Sequence, residues 1–472
     1  MMRGGNVDMK ISLSILVFLL ISCVSLGLIT DFVPEDYDFF ILFRNFYTHL
    51  EDLKNVPLFD FILKKEGLGL EPTIISVLTD TEEKTGVSKD ILLDSLSKNV
   101  LLSAKGVTLN FDTMLSLDVN YYLEILKNIG TSSFLVLETD HPLELSKFIA
   151  GLTETKLVED GEFFIFQDDS ISIFAKNVDN FLVLGGSKLA VESAVAAYTS
   201  KNYRLVQNEV VQNLLKEDKP LLGFFKGDSF KMNMGMDLEK AKKTKYVILK
   251  GWIEESSLRF DVLQRVDGNF EKYESDSSDM KSIPYAGNYF LGVSVSGGME
   301  AVRKVTEWFS GKSEEVEKFA EIMKDILEKS TGKVYIVGEI NQETTISFVA
   351  LFNAVKRDPI ENILGKYGKV EDGIRIMEIA NTKLRFFWSG DRLIMTNLTK
   401  QEYDRIFGRG KLSDDPAYTY ITGKCGVKKD VLRIYVDLGD IIEKMVGIKV
   451  SSKLLFIQYY DDGFFKYRLE VM

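Results

Sequence analysis

The sequence predicts an α+β protein: internally duplicated modules of mainly antiparallel sheet with helices packed on one face, preceded by one N-terminal transmembrane or signal helix. Three observations predict it. A short pattern at residues 158–161 recurs at 370–373. Runs of two or three short strands stand between helical segments, joined by turns too short for a parallel crossover. Residues 11–30 form one uncharged apolar run.

The apolar run reads ISLSILVFLLISCVSLGLIT. About 20 uncharged residues match the hydrocarbon thickness of a bilayer. Arg3 and Lys10 precede it, and Asp31, Glu35, Asp36 and Asp38 follow it. The positive-inside rule then places the N-terminus in the cytoplasm and the body outside the membrane. Met9-Lys10 followed at once by the apolar residues has the form of a secretory signal, so translation is expected to begin at Met9. Leu20-Ile21-Ser22-Cys23 resembles the lipobox of bacterial lipoproteins, which implies Cys23 as a candidate lipidation residue. Cleavage after Gly27 and retention as an anchor are the other two fates, and the unbroken length favours the anchor.

The whole chain of 472 residues exceeds what one core serves, which points to more than one domain. The expected division is 35–266 and 285–472 as half-repeats, with the polar stretch 267–284 as linker. The pattern Val158-Glu159-Asp160-Gly161 returns as Val370-Glu371-Asp372-Gly373, and an ungapped match carries on to lay Asp179 over Asp391. Each copy reads as three strands. Ile171 and Ile173 alternate with serines in one, and Leu384, Phe386 and Trp388 alternate with Lys383, Arg385 and Phe387 in the other. A helix follows each triple, Ser187 to Tyr198 and Thr399 to Phe407, with Ser or Thr placed as N-cap. A strand and a helix precede each triple, and both helices are expected to open at a proline, Pro142 and Pro359. Helices over Ser88 to Lys98 and Ser313 to Lys329 lead into strands at Asn99 to Lys105 and Gly332 to Gly338.

Charge and motifs bound the function. A net charge of −12 argues against nucleic acid and anionic lipid surfaces as partners. The body holds one cysteine, Cys425, expected at a strand end, so no disulfide closes within it. There is no phosphate loop, no dinucleotide loop, no zinc signature and no nucleophile elbow. The two histidines, His49 and His141, are far apart in sequence, and His141 is expected at a helix start on the surface. The acidic pairs Asp168-Asp169, Asp414-Asp415, Asp461-Asp462 and Glu82-Glu83 are expected in turns or at helix starts. Aromatic pairs such as Phe163-Phe164 and Phe386-Phe387 present to both faces of a strand, which fits a buried sheet or an apolar groove.

The expectation is therefore a cell-membrane protein, single-pass or lipid-anchored, whose extracytoplasmic body binds another envelope protein or polymer and is not an enzyme. No catalytic, cofactor or metal residue is singled out. A carrier or sensor of an apolar ligand, held in a cleft between the repeats, is the alternative. A carboxylate-based hydrolase is the third.

Overall fold

The computed structural model describes residues 29–106, 109–110, 131–167, 172–231, 244–268, 271–277, 282–284, 287–296, 299, 314–340, 346–354, 356–379, 382–407 and 410–472. The apolar run before Ile29, Cys23 and Asp168-Asp169 lie outside them. Among the described residues no helix is long and apolar enough to cross a membrane. The chain divides into two compact units. One contains the described residues to Lys231 with Thr244–Val262, the other those from Leu263 to Met472.

In the first unit nine strands form one antiparallel array. They are β1 (Phe39–Phe43), β2 (Val100–Ala104), β3 (Ser133–Glu138), β4 (Lys156–Asp160), β5 (Phe163–Gln167), β6 (Ser172–Val178), β7 (Phe181–Gly185), β8 (Leu221–Lys226) and β9 (Thr244–Glu254). The spatial order is β9-β8-β1-β2-β3-β7-β6-β5-β4. Helices α1 (Leu70–Thr85), α2 (Asp90–Leu96), α3 (Pro142–Thr153), α4 (Lys188–Ser200) and α5 (Glu209–Leu215) cover it.

In the second unit the strands are β10 (Tyr289–Ser294), β11 (Ser330–Ile340), β12 (Ile346–Ala354), β13 (Lys369–Glu371), β14 (Ile374–Ile379), β15 (Thr382–Ser389), β16 (Arg392–Thr396), β17 (Leu432–Asp437), β18 (Lys453–Asp461) and β19 (Phe464–Val471). Their order is β19-β18-β17-β10-β11-β12-β16-β15-β14-β13, again antiparallel throughout. The helices are α6 (Glu314–Glu328), α7 (Arg357–Tyr367), α8 (Lys400–Phe407), α9 (Pro416–Cys425) and α10 (Leu438–Val446). Helix α7 opens two residues before Pro359, which differs from the expected proline start.

The mixed α+β class and the antiparallel pairing agree with the sequence. The expectation of helices on one face does not. In β3, Phe134 and Val136 join a core with Val191, Ala194, Val211 and Leu214 from α4 and α5. Their neighbours Leu135 and Leu137 join a second core with Leu78, Leu92, Leu145 and Phe148 from α1, α2 and α3. In β12, Val349 and Leu351 meet Tyr418 and Ile421 of α9, while Ala350 and Phe352 meet Ile322 and Ile326 of α6 and Ile360 and Leu364 of α7. Successive side chains leave a strand on opposite faces. A run apolar at every position, as Phe134–Leu137 is, therefore needs cover on both sides.

The ungapped sequence match also shifts. Strand β4 runs through Asp160, which pairs with Phe163 across a turn at Gly161-Glu162. Strand β13 stops at Glu371, which pairs with Ile374 across Asp372-Gly373. The two tetrapeptides thus sit one position apart relative to their turns. The next hairpin repeats the offset: Asp179 takes the first turn position with φ 52°, whereas Gly390 takes it with φ 64° and Asp391 comes second. A one-residue slip exchanges the faces of every side chain. The ungapped match would therefore lay Leu182, packed toward α3, over Ile394, packed toward α9.

Candidate functional site

Helix α6 is strongly amphipathic. Ile322, Met323, Ile326 and Leu327 are buried on its inner side, with Phe319 half-buried one turn earlier. Helix α7 ends at Tyr367, and the chain turns directly into the short edge strand β13. Strands β14 and β15 continue from it as a hairpin. Where α6 meets this hairpin a groove of about 370 Å³ remains. That volume lies within the range of small-molecule sites, a few hundred to about 1,000 Å³.

Its lining has two characters. Phe319, Ile322, Tyr367, Ile376, Met377 and Ile379 supply apolar surface. Lys318, Lys369, Lys383, Glu371 and Glu378 supply charge. The Lys318 ammonium stands 5.5 Å from the centre of the Tyr367 ring, within cation–π reach. Three cations against two carboxylates give this groove a local excess of positive charge in an acidic chain. Glu371 faces Ile374 across the turn, and Glu378 lies four residues further along β14. Strand rise separates their anchor points by roughly 13 Å.

In the first unit α1 and α3 pack closely. Gly151 of α3 lies so near α1 that a Cβ there would come within 2.1 Å of Thr85 Cγ2 and 3.3 Å of Thr81 Cγ2. The absent side chain lets the two helices touch.

A second polar cluster lies inside the second unit. Lys333 at the start of the β11 pairing and Asp430 are both without exposed side-chain surface. Lys333 Nζ lies 2.7 Å from Asp430 Oδ1 and donates to the Asp430 carbonyl at 2.7 Å. Arg433 Nη2 reaches Asp430 Oδ2 at 2.9 Å, and Ser277 Oγ donates to the same oxygen at 2.6 Å. Burial disfavours the charged guanidinium of Arg433, yet Asp430 and Tyr418 more than offset this and its pKa is raised. Burial pushes the Tyr418 phenol up. Both carboxylate oxygens of Asp430 are engaged, as in a structural lock, while the buried Arg433 Nε is left without a partner among the described residues.

The residues weighed in the sequence fall elsewhere. His141 is exposed at the start of α3, where its backbone N–H donates to Thr139 Oγ1 at 3.1 Å. His49 Nδ1 lies 3.0 Å from Asp52 Oδ2. Asp415 caps α9 by accepting from Ala417 N and Tyr418 N, while Asp461 ends β18 and Asp462 makes the β18–β19 turn with Gly463. Glu82 and Glu83 lie in the last turn of α1, not at a helix start, and Glu82 pairs with Lys89 at 2.7 Å. Cys425 ends α9 instead of a strand and is half-buried. Its Sγ lies 3.9 Å from Arg468 Nη1. Phe163, Phe166 and Phe386 belong to the cores. Among the described residues no group of three or more His, Cys, Asp or Glu could hold a metal ion. The groove was hidden in the sequence because its lysines are scattered over α6, β13 and β15. The amphipathic pattern of α6 is its one local signal.

No family model matches the chain, and no curated protein matches it. Among solved structures, crystal form I of a protein called TP0453 is similar over 40% of this chain and 77% of that one, at 12% identity and a TM-score of 0.27. Crystal form III is similar over 41% and 93%, at 11% identity and a TM-score of 0.25. Values this low establish neither a shared fold nor a shared role.

Proposed function

We propose that this chain is a membrane-anchored, extracytoplasmic, non-enzymatic binding protein whose second unit takes up an apolar ligand bearing an acidic group. The groove between α6 and the β13–β15 strands carries this reading. An apolar floor suits a hydrocarbon body, and the rim lysines suit a carboxylate or phosphate through charge-assisted hydrogen bonds. The uncharged run at residues 11–30 and its flanking charges support the address.

The two units are, on this reading, copies of one module. What supports it is the order of pairing. Strands β10, β11, β12, β13 to β16, β17 and β18 follow one another in space as β1, β2, β3, β4 to β7, β8 and β9 do. Helices α7, α8 and α9 fall at the chain positions of α3, α4 and α5. A small contact recurs as well: Arg44 N donates to Pro220 O at 2.6 Å, and Ser294 N donates to Val431 O at 2.8 Å, each just beyond the same strand pair.

The test is displacement of a fluorescent medium-chain fatty acid from the full-length protein in detergent-free nanodiscs. Binding should saturate at one site per chain, weaken at least tenfold in the double variant Lys369→Glu, Lys383→Glu, and be lost in Met377→Trp, which fills the floor. Absence of saturable binding, or binding indifferent to both changes, would remove the proposal.

A further inference from the structure

Strand β4 is the outer strand of the first unit's sheet. It pairs with β5 on one side, and among the described residues no strand pairs with its other side. Its backbone direction follows from the hairpin. Asp160 and Phe163 flank the two-residue turn Gly161-Glu162, and residues flanking such a turn exchange both backbone bonds. Alternation then turns Val158 and Lys156 toward β5 as well. It leaves the N–H and C=O groups of Leu157 and Glu159 pointing out of the sheet. Edge strands are commonly blocked by a proline, a bulge or a central charge. Here the register with β5 is unbroken, and the central residue is Val158, 43% exposed.

Charge and register indicate what this edge accepts. Only residues with outward backbone groups bond across it, so the closest antiparallel registers of two copies centre on Leu157, Val158 or Glu159. Centring on Glu159 sets that carboxylate against its own copy. Centring on Leu157 sets Asp160 against Glu154 of the second copy. Centring on Val158 sets Lys156 against Asp160 of the second copy on both sides, with valine against valine and Glu159 against Leu157. Opposite charges facing across a strand pair stabilise it, and like charges destabilise it. The flanking charges also balance. Asp160 lies 3.9 Å from Lys188, Glu154 lies 3.7 Å from Lys84, and Glu162 pairs with Lys176. Lys156 and Glu159 remain, one of each sign. This edge is therefore neutral within a chain of net charge −12, and a second copy meets no excess of like charge there. Val158 also continues a cross-strand row with Ile165 and Phe174, both half-buried. The Val158-centred register joins two such rows into one apolar stripe.

We propose that β4 is a self-association edge, at which two copies of this chain pair antiparallel about Val158. Leu157 and Glu159 exchange backbone bonds across the join, and Lys156 meets Asp160 of the other copy. The contact is isologous, so it closes at a dimer. A pair of five-residue strands falls short of the about 1,200 Å² of a stable interface, so the dimer is weak, with Kd on the order of 100 μM. Neither the groove nor the membrane address enters this inference.

The experiment uses the full-length chain in detergent micelles, with Cys23→Ser and Cys425→Ser and one cysteine added. A pair that exchanges no backbone bonds sets its Cα atoms about 4.5 Å apart, within the reach of a disulfide. Val158→Cys should therefore link two chains on mild oxidation about tenfold faster than Glu159→Cys, whose two copies lie out of register. In the Val158→Cys chain, Lys156→Glu should slow the linkage about tenfold, and adding Asp160→Lys should restore it. Glu159→Pro spares the hairpin, which does not use that N–H, and should abolish the linkage. Equal rates for Val158→Cys and Glu159→Cys would mean collision without register, a contact through the N-terminal segment included, and would overturn the proposal. So would linkage indifferent to Lys156→Glu, or a charge exchange that restores nothing while the melting curve is unchanged. A chain that sediments as a monomer at about 100 μM and does not link through Val158→Cys leaves the edge to another partner or to none, and the proposal falls.

Discussion

Asp430, fully buried, answers two cations and a hydroxyl, and this makes it a consequential residue in the second unit. Two charges and their counter-ion are costly to bury, and the cost is tolerable only while all remain paired. Asp430→Ala should therefore destabilise the second unit by about 3–5 kcal/mol, because Lys333 and Arg433 lose the carboxylate they share. Lys333→Met should cost clearly less, since Arg433 and Ser277 still satisfy the carboxylate. Urea unfolding followed by exchange of the second unit's amides distinguishes the two. A milder case sits at α8. Glu402 accepts from the side chain and the backbone N–H of Thr399, at 2.7 and 2.8 Å, and these bonds hold its carboxyl below the usual value of 4.5. A folded pKa below the unfolded one stabilises above the unfolded value and ceases to do so as pH falls through the folded value. Glu402→Gln should thus lower stability near neutral pH, and the difference from the parent should vanish in acid, as parallel melts would show. The sequence made the Thr399 cap legible because a cap is local. It concealed the Asp430 cluster, whose members Ser277, Lys333, Asp430 and Arg433 meet only when three separate segments fold together.

At the scale of elements, hairpins were legible where alternation and turn residues coincide, as at β6–β7 and β15–β16. Their relative register was not. Identical letters at Val158-Glu159-Asp160-Gly161 and Val370-Glu371-Asp372-Gly373 invited an ungapped match, while the turn is set by whichever residue tolerates positive φ. Gly161 serves first in one copy, and Asp372 with Gly373 in the other. The second face of the sheets was missed because helix pattern alone does not tell which side a helix covers. Close packing of α1 on α3 offers a direct test of that cover. Gly151→Ala sets a methyl against Thr85 Cγ2 and should cost about 1–3 kcal/mol through overpacking. Thr85→Ser removes that methyl while keeping the hydroxyl bond to Thr81 O. In that background Gly151→Ala should be neutral or stabilising, by up to about 1 kcal/mol from helix propensity. A double-mutant cycle read by thermal melts gives the coupling energy, and a cycle that sums to zero would refute the contact.

On the scale of the whole molecule, the decisive feature is that each unit owns a complete pair of cores, one on either face of its sheet. Lesions in separate cores share no packing partner, so their effects should add. Phe166, fully buried against α3, is the probe in the first unit, and its truncation to alanine should cost about 3–5 kcal/mol. Asp430→Ala is the probe in the second. Hydrogen exchange resolved by peptide should show each lesion speeding exchange in its own unit, with the double variant showing both effects side by side. A bound ligand enters the same comparison with opposite sign. It stabilises only the state that holds the groove, by about 2.7 kcal/mol at a hundredfold excess over Kd. A fatty acid should then slow exchange in β13–β15 and α6, offset part of the Asp430→Ala loss, and leave Phe166→Ala untouched. Protection spread evenly over both units would mean that they open as one body, and a ligand that protects only β1–β9 would place its site outside the groove.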